Sequence, residues 1–489
     1  MADTAAPQSS AALSFCAPER RRGILIAAIL ASSLSFIDGT VVSIALPAMR
    51  DSLGASFAQA QWFSNAYILM LSALILTGGA LGDRFGLARI FGLGIAVFIA
   101  GSLATALAPD PSTMIAARAF KGVGAALMVP GSLAIISRAY PAEDRGRAIG
   151  IWAAASAVTT ALGPIIGGLV LTFAGPEFWR WIFAVNLPLG LIALTMLKRS
   201  VARDSQTQSQ PVDWIGATLA TIGLGGLAFG LTALQLGGAA LPTLGLGLAA
   251  LTCFILHEQR TPAPMMPLTL FSNRQFAAAN AATLCVYTAL AAVMFYLPQT
   301  IIPVWGITPI EASAAFAPLS VFISLLSARV GRLADRVGAV PVIAAGSFVV
   351  AAGYLGVALT TPWAVFWSAT MPAMALVGLG MGIIVAPLSA AVMGAVDPAR
   401  SGVASGINNA ISRSGSLLGI AIFGLVATAV YASVGGELSF GAAGDSATHA
   451  QAANAAFARI AYACAALCAL GGALMLVASR KAGGRRTTA

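Results

Sequence analysis

The sequence predicts an all-α integral membrane protein: two related six-helix halves with two additional helices between them, fourteen transmembrane helices in all. Three observations predict it. Apolar runs of membrane length recur from end to end, Lys and Arg gather on one side of those runs, and a short loop sequence repeats half a chain apart. Of the 489 residues, 58% are hydrophobic and 9% charged, too few polar groups to cover a surface in water.

Runs bounded by charge or by Pro/Gly clusters place spans at about 23–49, 59–81, 89–108, 112–136, 147–173, 179–197, 213–236, 240–257, 275–297, 310–329, 339–360, 363–393, 402–432 and 456–478. At about 1.5 Å per residue each suffices for a hydrocarbon core of roughly 30 Å. The first run follows Arg20, Arg21 and Arg22 as a signal peptide would, but it is too long for an h-region, carries Asp38 and leads into further spans. It reads as a retained helix. With the N-terminus inside, 21 of the 27 Lys and Arg residues fall in inner segments and three, Arg50, Arg180 and Arg459, on the outer side. That bias puts both termini in the cytoplasm. The formal charge of +10 is then topology and calls for no nucleic acid.

The repeat is GALGDRFG at 79–86 and GRLADRVG at 331–338. Shifted by about 254 residues, the first span lands on 275–297, which divides the chain into a tail (1–22), a first half (23–197), a linker with two additional spans (198–274), a second half (275–478) and a tail (479–489). Parallel halves with a site at their interface near the midplane are the plan of alternating access.

Charges inside spans are costly and mark sites. Asp38 is the only acid deep in a span, and Arg118 and Lys121 of the fourth span reach an overlapping depth, so the three are expected to meet. The competing reading is a buried structural ion pair. Arg413 lies near the middle of the thirteenth span, and with Asn65, Tyr67, Asn408 and Asn409 it is a candidate lining for a largely apolar cavity; Trp62, Trp152 and Tyr287 are further aromatic candidates. In the repeated loop, Gly79 and Gly86 permit a turn, Asp83 can accept from backbone N–H groups and Arg84 can pair with a carboxylate, with Asp335 and Arg336 as the second copy. This reads as a conformational latch, against the plainer alternative of a positive-inside turn. Gly163, Pro164, Gly167 and Gly168 predict a kinked, closely packed fifth helix. The five cysteines, His257 and His449 form no catalytic or metal cluster, and G-x-x-x-x-G-K-[ST] does not occur, so no metal, cofactor or nucleotide is expected.

Several of these stretches resemble the major facilitator superfamily, and its fourteen-helix drug:proton antiporter branch in particular. GGALGDRFGLAR (78–89) is similar to the loop motif G-x-x-x-D-R-x-G-R-R, with Leu87 and Ala88 in place of basic residues. IDGTVVSIALP (37–47) resembles the first-helix motif, with Ser43 where Asn is usual, and RAFKGVGAA (118–126) the fourth-helix motif R-x-x-Q-G-x-G, with Lys121 in the Gln place. ALGPIIGGLV (161–170) matches the exporter motif G-P-x-x-G-G, and WRWIFAVNLPLG (179–190) the sixth-helix segment. SGINNAISRSGSLLG (405–419) resembles N-x-x-R-Q-x-G-G, departing at Ser414 and Ser416. The resemblance implies the major facilitator fold and export of a hydrophobic or amphiphilic small molecule across a bacterial inner membrane, energised by a proton gradient, with Asp38, Arg118 and Lys121 as the coupling group. Export of a single endogenous metabolite is the alternative among transporters; a non-transporting receptor or sensor is the alternative from another class, and the retained Asp38 and Arg118 count against it. The sequence leaves a periplasmic adaptor open.

Overall fold

The computed structural model describes residues 15–202, 204, 211–235, 240–397 and 400–483. The expected tails at 1–22 and 479–489 therefore lie partly outside the described residues, as do 203, 205–210 and 236–239 of the linker. Among the described residues, fourteen helices are long and apolar enough to cross a membrane. They are α1 (Pro18–Leu53), α2 (Phe57–Phe85), α3 (Leu87–Ala106), α4 (Pro111–Ala139), α5 (Glu143–Ala174), α6 (Pro176–Ser200) and α7 (Trp214–Leu234). The remainder are α8 (Ala240–Arg260), α9 (Arg274–Ile301), α10 (Pro309–Val337), α11 (Ala339–Trp363), α12 (Phe366–Gly394), α13 (Ser401–Ser433) and α14 (Ala447–Ala478).

Two expected bounds are corrected. The span placed at 310–329 stays helical to Val337, because Arg329, Arg332, Asp335 and Arg336 leave the apolar zone without leaving the helix. Hydropathy marks where a chain exits lipid; the helix ends only where Gly338 takes a φ of 89°. The last helix begins at Ala447, not 456, since its polar first turns are held down by His449, whose ring faces the Tyr431 hydroxyl at 2.5 Å and the Ala442 carbonyl at 3.0 Å. The first correction moves the repeated sequence as well. Asp83 and Arg84 occupy the last turn of α2, Asp335 and Arg336 the last turn of α10, and only Gly86 (φ 106°) and Gly338 make the turns.

α2 and α3 pack on α4 and α1 on α5, while α11 packs on α12 and α14, α9 on α14 and α10 on α12. α7 and α8 pair with each other, and α7 lies against both α2 and α13. One end of the bundle carries Arg84, Arg89 and Arg138 and is called the basic face here. Among the described residues, the hydrogen bonds joining α1–α6 to α9–α14 all lie at the opposite face. Arg50 donates to the Phe440 carbonyl (2.7 Å) and to the Ser439 hydroxyl, and the Ile310 N–H donates to Thr172 (3.1 Å). Toward the basic face, α5, α10 and α13 expose much of their length, Arg145, Arg147, Leu325, Arg332 and Val403 included.

The helix that carries Arg118 and Lys121, both buried, starts from a strong cap. Asp110 accepts from the N–H groups of Ser112 (2.9 Å) and Thr113 (3.0 Å) ahead of Pro111, and the Thr113 hydroxyl and N–H hold its carboxyl below the usual range.

Candidate functional site

Asp38 is fully buried in α1, and each of its carboxylate oxygens meets a cation. Arg118 Nη1 lies 2.5 Å from Oδ2, and Lys121 Nζ contacts Oδ1. The two cations are three residues apart on α4 and so share one of its faces. Arg118 Nε also donates to the Phe63 carbonyl at 2.7 Å. Aromatic faces close the rest of the shell: Arg118 lies 4.7 Å from the Tyr67 ring, and Lys121 lies 4.6 Å from Phe98 and 4.9 Å from Phe183.

Small residues let the backbones come this close. A Cβ added at Gly101 of α3 would stand 2.8 Å from the Lys121 Cα, and one at Gly122 would stand 2.5 Å from the Tyr67 carbonyl. Burying an anion between two cations without water is favourable only because Coulomb attraction and hydrogen bonds replace lost hydration. With all three groups ionised the triad would carry one net positive charge, and its proton inventory depends on whether both contacts survive: burial alone favours a neutral acid, and adjacent cations favour the carboxylate.

The expected exporter segment packs on the same stretch of α1. A Cβ at Gly163 would lie 3.0 Å from the Ile37 carbonyl and against the Thr40 hydroxyl; one at Gly167 would lie 2.8 Å from Val41 Cγ2. Gly168 turns the other way, toward Ile310 Cα of α10 at 2.8 Å. Pro164 lies within the helix, and a π-helical turn, Val170–Ala174, follows. One short segment thus touches both the Asp38 stretch and the facing half.

The latch residues are placed differently from the expectation. Among the described residues Asp83 makes no hydrogen bond, because N–H groups at the C-terminal end of a helix are already paired and only carbonyls are free there. Arg84 has no carboxylate partner either; its guanidinium lies 5.4 Å from the Phe85 ring. Asp204 of the linker does the capping, accepting the Arg89 N–H at 2.8 Å and filling the space beside Gly86. Asp335 and Arg336 are exposed.

The candidate cavity residues divide. Tyr67 is buried with its hydroxyl 2.9 Å from that of Ser35, and Asn65 is fully buried with neither amide atom partnered. Asn408, half-buried, donates to Thr283 (2.8 Å) and Asn280 (3.1 Å), riveting α13 to α9. Asn409 is exposed and bonds only the Ser405 carbonyl of its own helix, a standard outlet for an amide with no tertiary partner. Arg413 is half-buried and has no hydrogen bond or ion pair among the described residues. Trp62 packs against Phe229 of α7 with the rings tilted by 52°, and Trp152 donates to Ser32 at 2.9 Å.

Sequence reasoning missed Arg50, read as a loop-side arginine although it is buried. It also missed the reciprocal amide pair of Gln61 and Gln235 (3.0 and 3.1 Å) that ties α2 to the end of α7 beside Gly424. Gln61, a second glutamine at the start of α2 beyond the Gln59 that serves the cap, was the available signal.

Comparison with known proteins agrees with the geometry. The Major Facilitator Superfamily profile matches residues 28–420. The Multidrug resistance protein Stp of Mycobacterium tuberculosis (strain CDC 1551 / Oshkosh) is 33% identical over 415 residues, 83% of this chain and 75% of that protein. The Puromycin resistance protein pur8 of Streptomyces alboniger is 32% identical over 439 residues, 88% of this chain and 86% of that one. The Lincomycin resistance protein of Streptomyces lincolnensis is 33% identical over 394 residues, covering 79% and 80%. Among solved structures, a bacterial homologue of the human lysosomal transporter Spinster, inward-facing and unoccupied, superposes with a TM-score of 0.66 over 95% of this chain and 98% of that chain, at 15% identity.

Proposed function

The chain belongs to the major facilitator superfamily, and we propose that it is a proton-coupled secondary transporter that exports hydrophobic or amphiphilic compounds by alternating access. The resistance proteins among its relatives support drug-like solutes as the cargo. The observation that carries proton coupling is Asp38, fully buried with both oxygens on cations. In this reading the bilayer is a bacterial inner membrane, the basic face and both termini are cytoplasmic, and the proton gradient is the energy source, with no cofactor. No role is assigned to an adaptor protein.

With that orientation the structure is closed outside, at Arg50, Ser439 and Phe440, and looser inside. Outward opening would break these ties and shift α5, whose Gly163–Gly168 segment contacts both α1 and α10. Moving α1 relative to α4 strips cations from Asp38 and lets it load a proton from the outside. The return movement restores the cations and expels the proton inward, while the solute leaves on the outward stroke. Asp83, Arg84, Asp335 and Arg336 are assigned to biasing the two states; in this state none of them is ion-paired among the described residues. The test is efflux from proteoliposomes under an imposed proton gradient, across chemically varied solutes. Efflux of at least one lipophilic solute that stops when the gradient is collapsed is expected; efflux indifferent to the gradient contradicts the reading.

A further inference from the structure

The two helices between the halves end, on the basic face, in a polar cluster that transport as described above does not use. Asp213 caps α7: its Oδ1 accepts the Gly216 N–H at 2.8 Å and lies 2.8 Å from Nε2 of His257 on α8. Glu258 is 3% exposed, and its Oε2 accepts the N–H of Met266, in the segment that leads into the second half, at 2.8 Å. The other oxygen of each, Asp213 Oδ2 and Glu258 Oε1, is shut off from solvent and has no donor. These two oxygens face each other. A Cβ added at Gly216 would stand 2.5 Å from one and 2.8 Å from the other, and the two carboxyl groups are within hydrogen-bonding reach.

Ionised carboxylates only accept hydrogen bonds, so two of them in this dry contact would repel with nothing between. A single proton turns the repulsion into a hydrogen bond. His257 does not fill the gap, since its Nε2 lies against Oδ1. Among the described residues the charged groups facing the pair are each other and His257; Arg260, the next cation along α8, is exposed. Asp213, His257 and Glu258 are not arranged to hold a metal ion, since Asp213 Oδ1 and His257 Nε2 bond each other and Glu258 Oε2 takes the Met266 N–H.

We propose that Asp213 and Glu258 hold one proton between them, carried on Glu258, and that this proton fastens residues 261–273 to the paired helices α7 and α8. Asp213 is the better anion of the two, with two donors on its other oxygen. Loss of the proton sets two negative charges face to face, swings Glu258 away and frees the Met266 N–H. The side of the membrane that sets the proton's occupancy, the cytoplasm, rests on the orientation proposed above; the proton itself does not.

Two measurements on the purified full-length chain test this. Infrared spectroscopy near neutral pH should show the carbonyl stretch of a protonated carboxyl that Glu258→Gln removes; the glutamine amide can donate to Asp213 in the proton's place, so that variant should fold. Hydrogen exchange of peptides covering 261–273 should accelerate on going from about pH 6 to about pH 9, roughly tenfold more in the wild type than in Glu258→Gln. An unchanged carboxyl band, or equal acceleration in the two proteins, overturns the proposal. Efflux by Glu258→Gln at one fixed pH is measured alongside: gradient-driven efflux that persists while the band is unchanged sinks the shared proton and leaves the transport reading standing, whereas gradient-independent efflux sinks the latter alone.

Discussion

At the scale of single residues, the account turns on what Asp38, Arg118 and Lys121 do for one another. Removing the carboxylate leaves two cations buried without their counter-ion, so Asp38→Ala should destabilise the folded chain by about 3–5 kcal/mol, the cost of orphaning a buried charge. A thermal-unfolding comparison in detergent checks it, and an unchanged midpoint would mean that water reaches the pocket. Gly163 tests the backbone approach. Valine there would push its branched side chain into the Ile37 carbonyl and the Thr40 hydroxyl. Overpacking of this kind costs about 1–3 kcal/mol, and because α5 would be displaced from the Asp38 stretch, efflux should fall well below the wild-type rate even where membrane abundance is retained. The triad was legible in the sequence because charge in an apolar run is rare and depth along a helix can be counted. That Asn408 is a rivet to Asn280 and Thr283 was not legible, since an amide in a span looks the same whether it faces a cavity or a neighbouring helix.

At the scale of elements, the helix termini divide the labour between closing and switching. Arg50, at the end of α1, grips the loop between α13 and α14, and Phe57, Tyr296 and Phe440 pack ring to ring beside it, with centroids 5.5 to 6.3 Å apart. In the proposed orientation Arg50→Gln should therefore favour the outward-open state: a cysteine at Phe57 in that variant should react severalfold faster with a membrane-impermeant thiol reagent than the same cysteine beside Arg50. Equal rates would show that the grip does not hold the gate. Asp83→Asn should impair transport with membrane abundance largely intact, as expected of a group that biases two states; unchanged activity, or loss of the protein from the membrane, would favour plain packing. Helix existence was read correctly from hydropathy throughout, but the ends of α10 and the start of α14 were not. Helices end where backbone geometry and caps end them, as Gly338 does, and apolar runs end where lipid does.

At the scale of the whole molecule, the fourteen spans and the one-sided placement of Lys and Arg were legible because the bilayer imposes length and charge on sequence directly. Which state the halves occupy was not legible, since it depends on contacts between residues hundreds of positions apart, such as Arg50 with Phe440. The proposed orientation predicts that reporters fused at residue 205 and after residue 489 read cytoplasm and one at residue 445 reads outside. A cytoplasmic signal at 445 would remove an odd number of crossings and break the pairing of the halves.

The central claim, that Asp38 is the group whose proton is exchanged for solute, is tested most directly by proton release. Purified wild-type protein, in weak buffer with a pH indicator, is given a solute that the liposome assay has shown to be transported. The wild type should release protons on binding it. Asp38→Asn, which imitates the protonated acid without a proton to give, should bind the solute and release none. If Asp38→Asn releases as many protons as the wild type on binding the same solute, Asp38 is not the coupling group, and the triad is a structural ion pair.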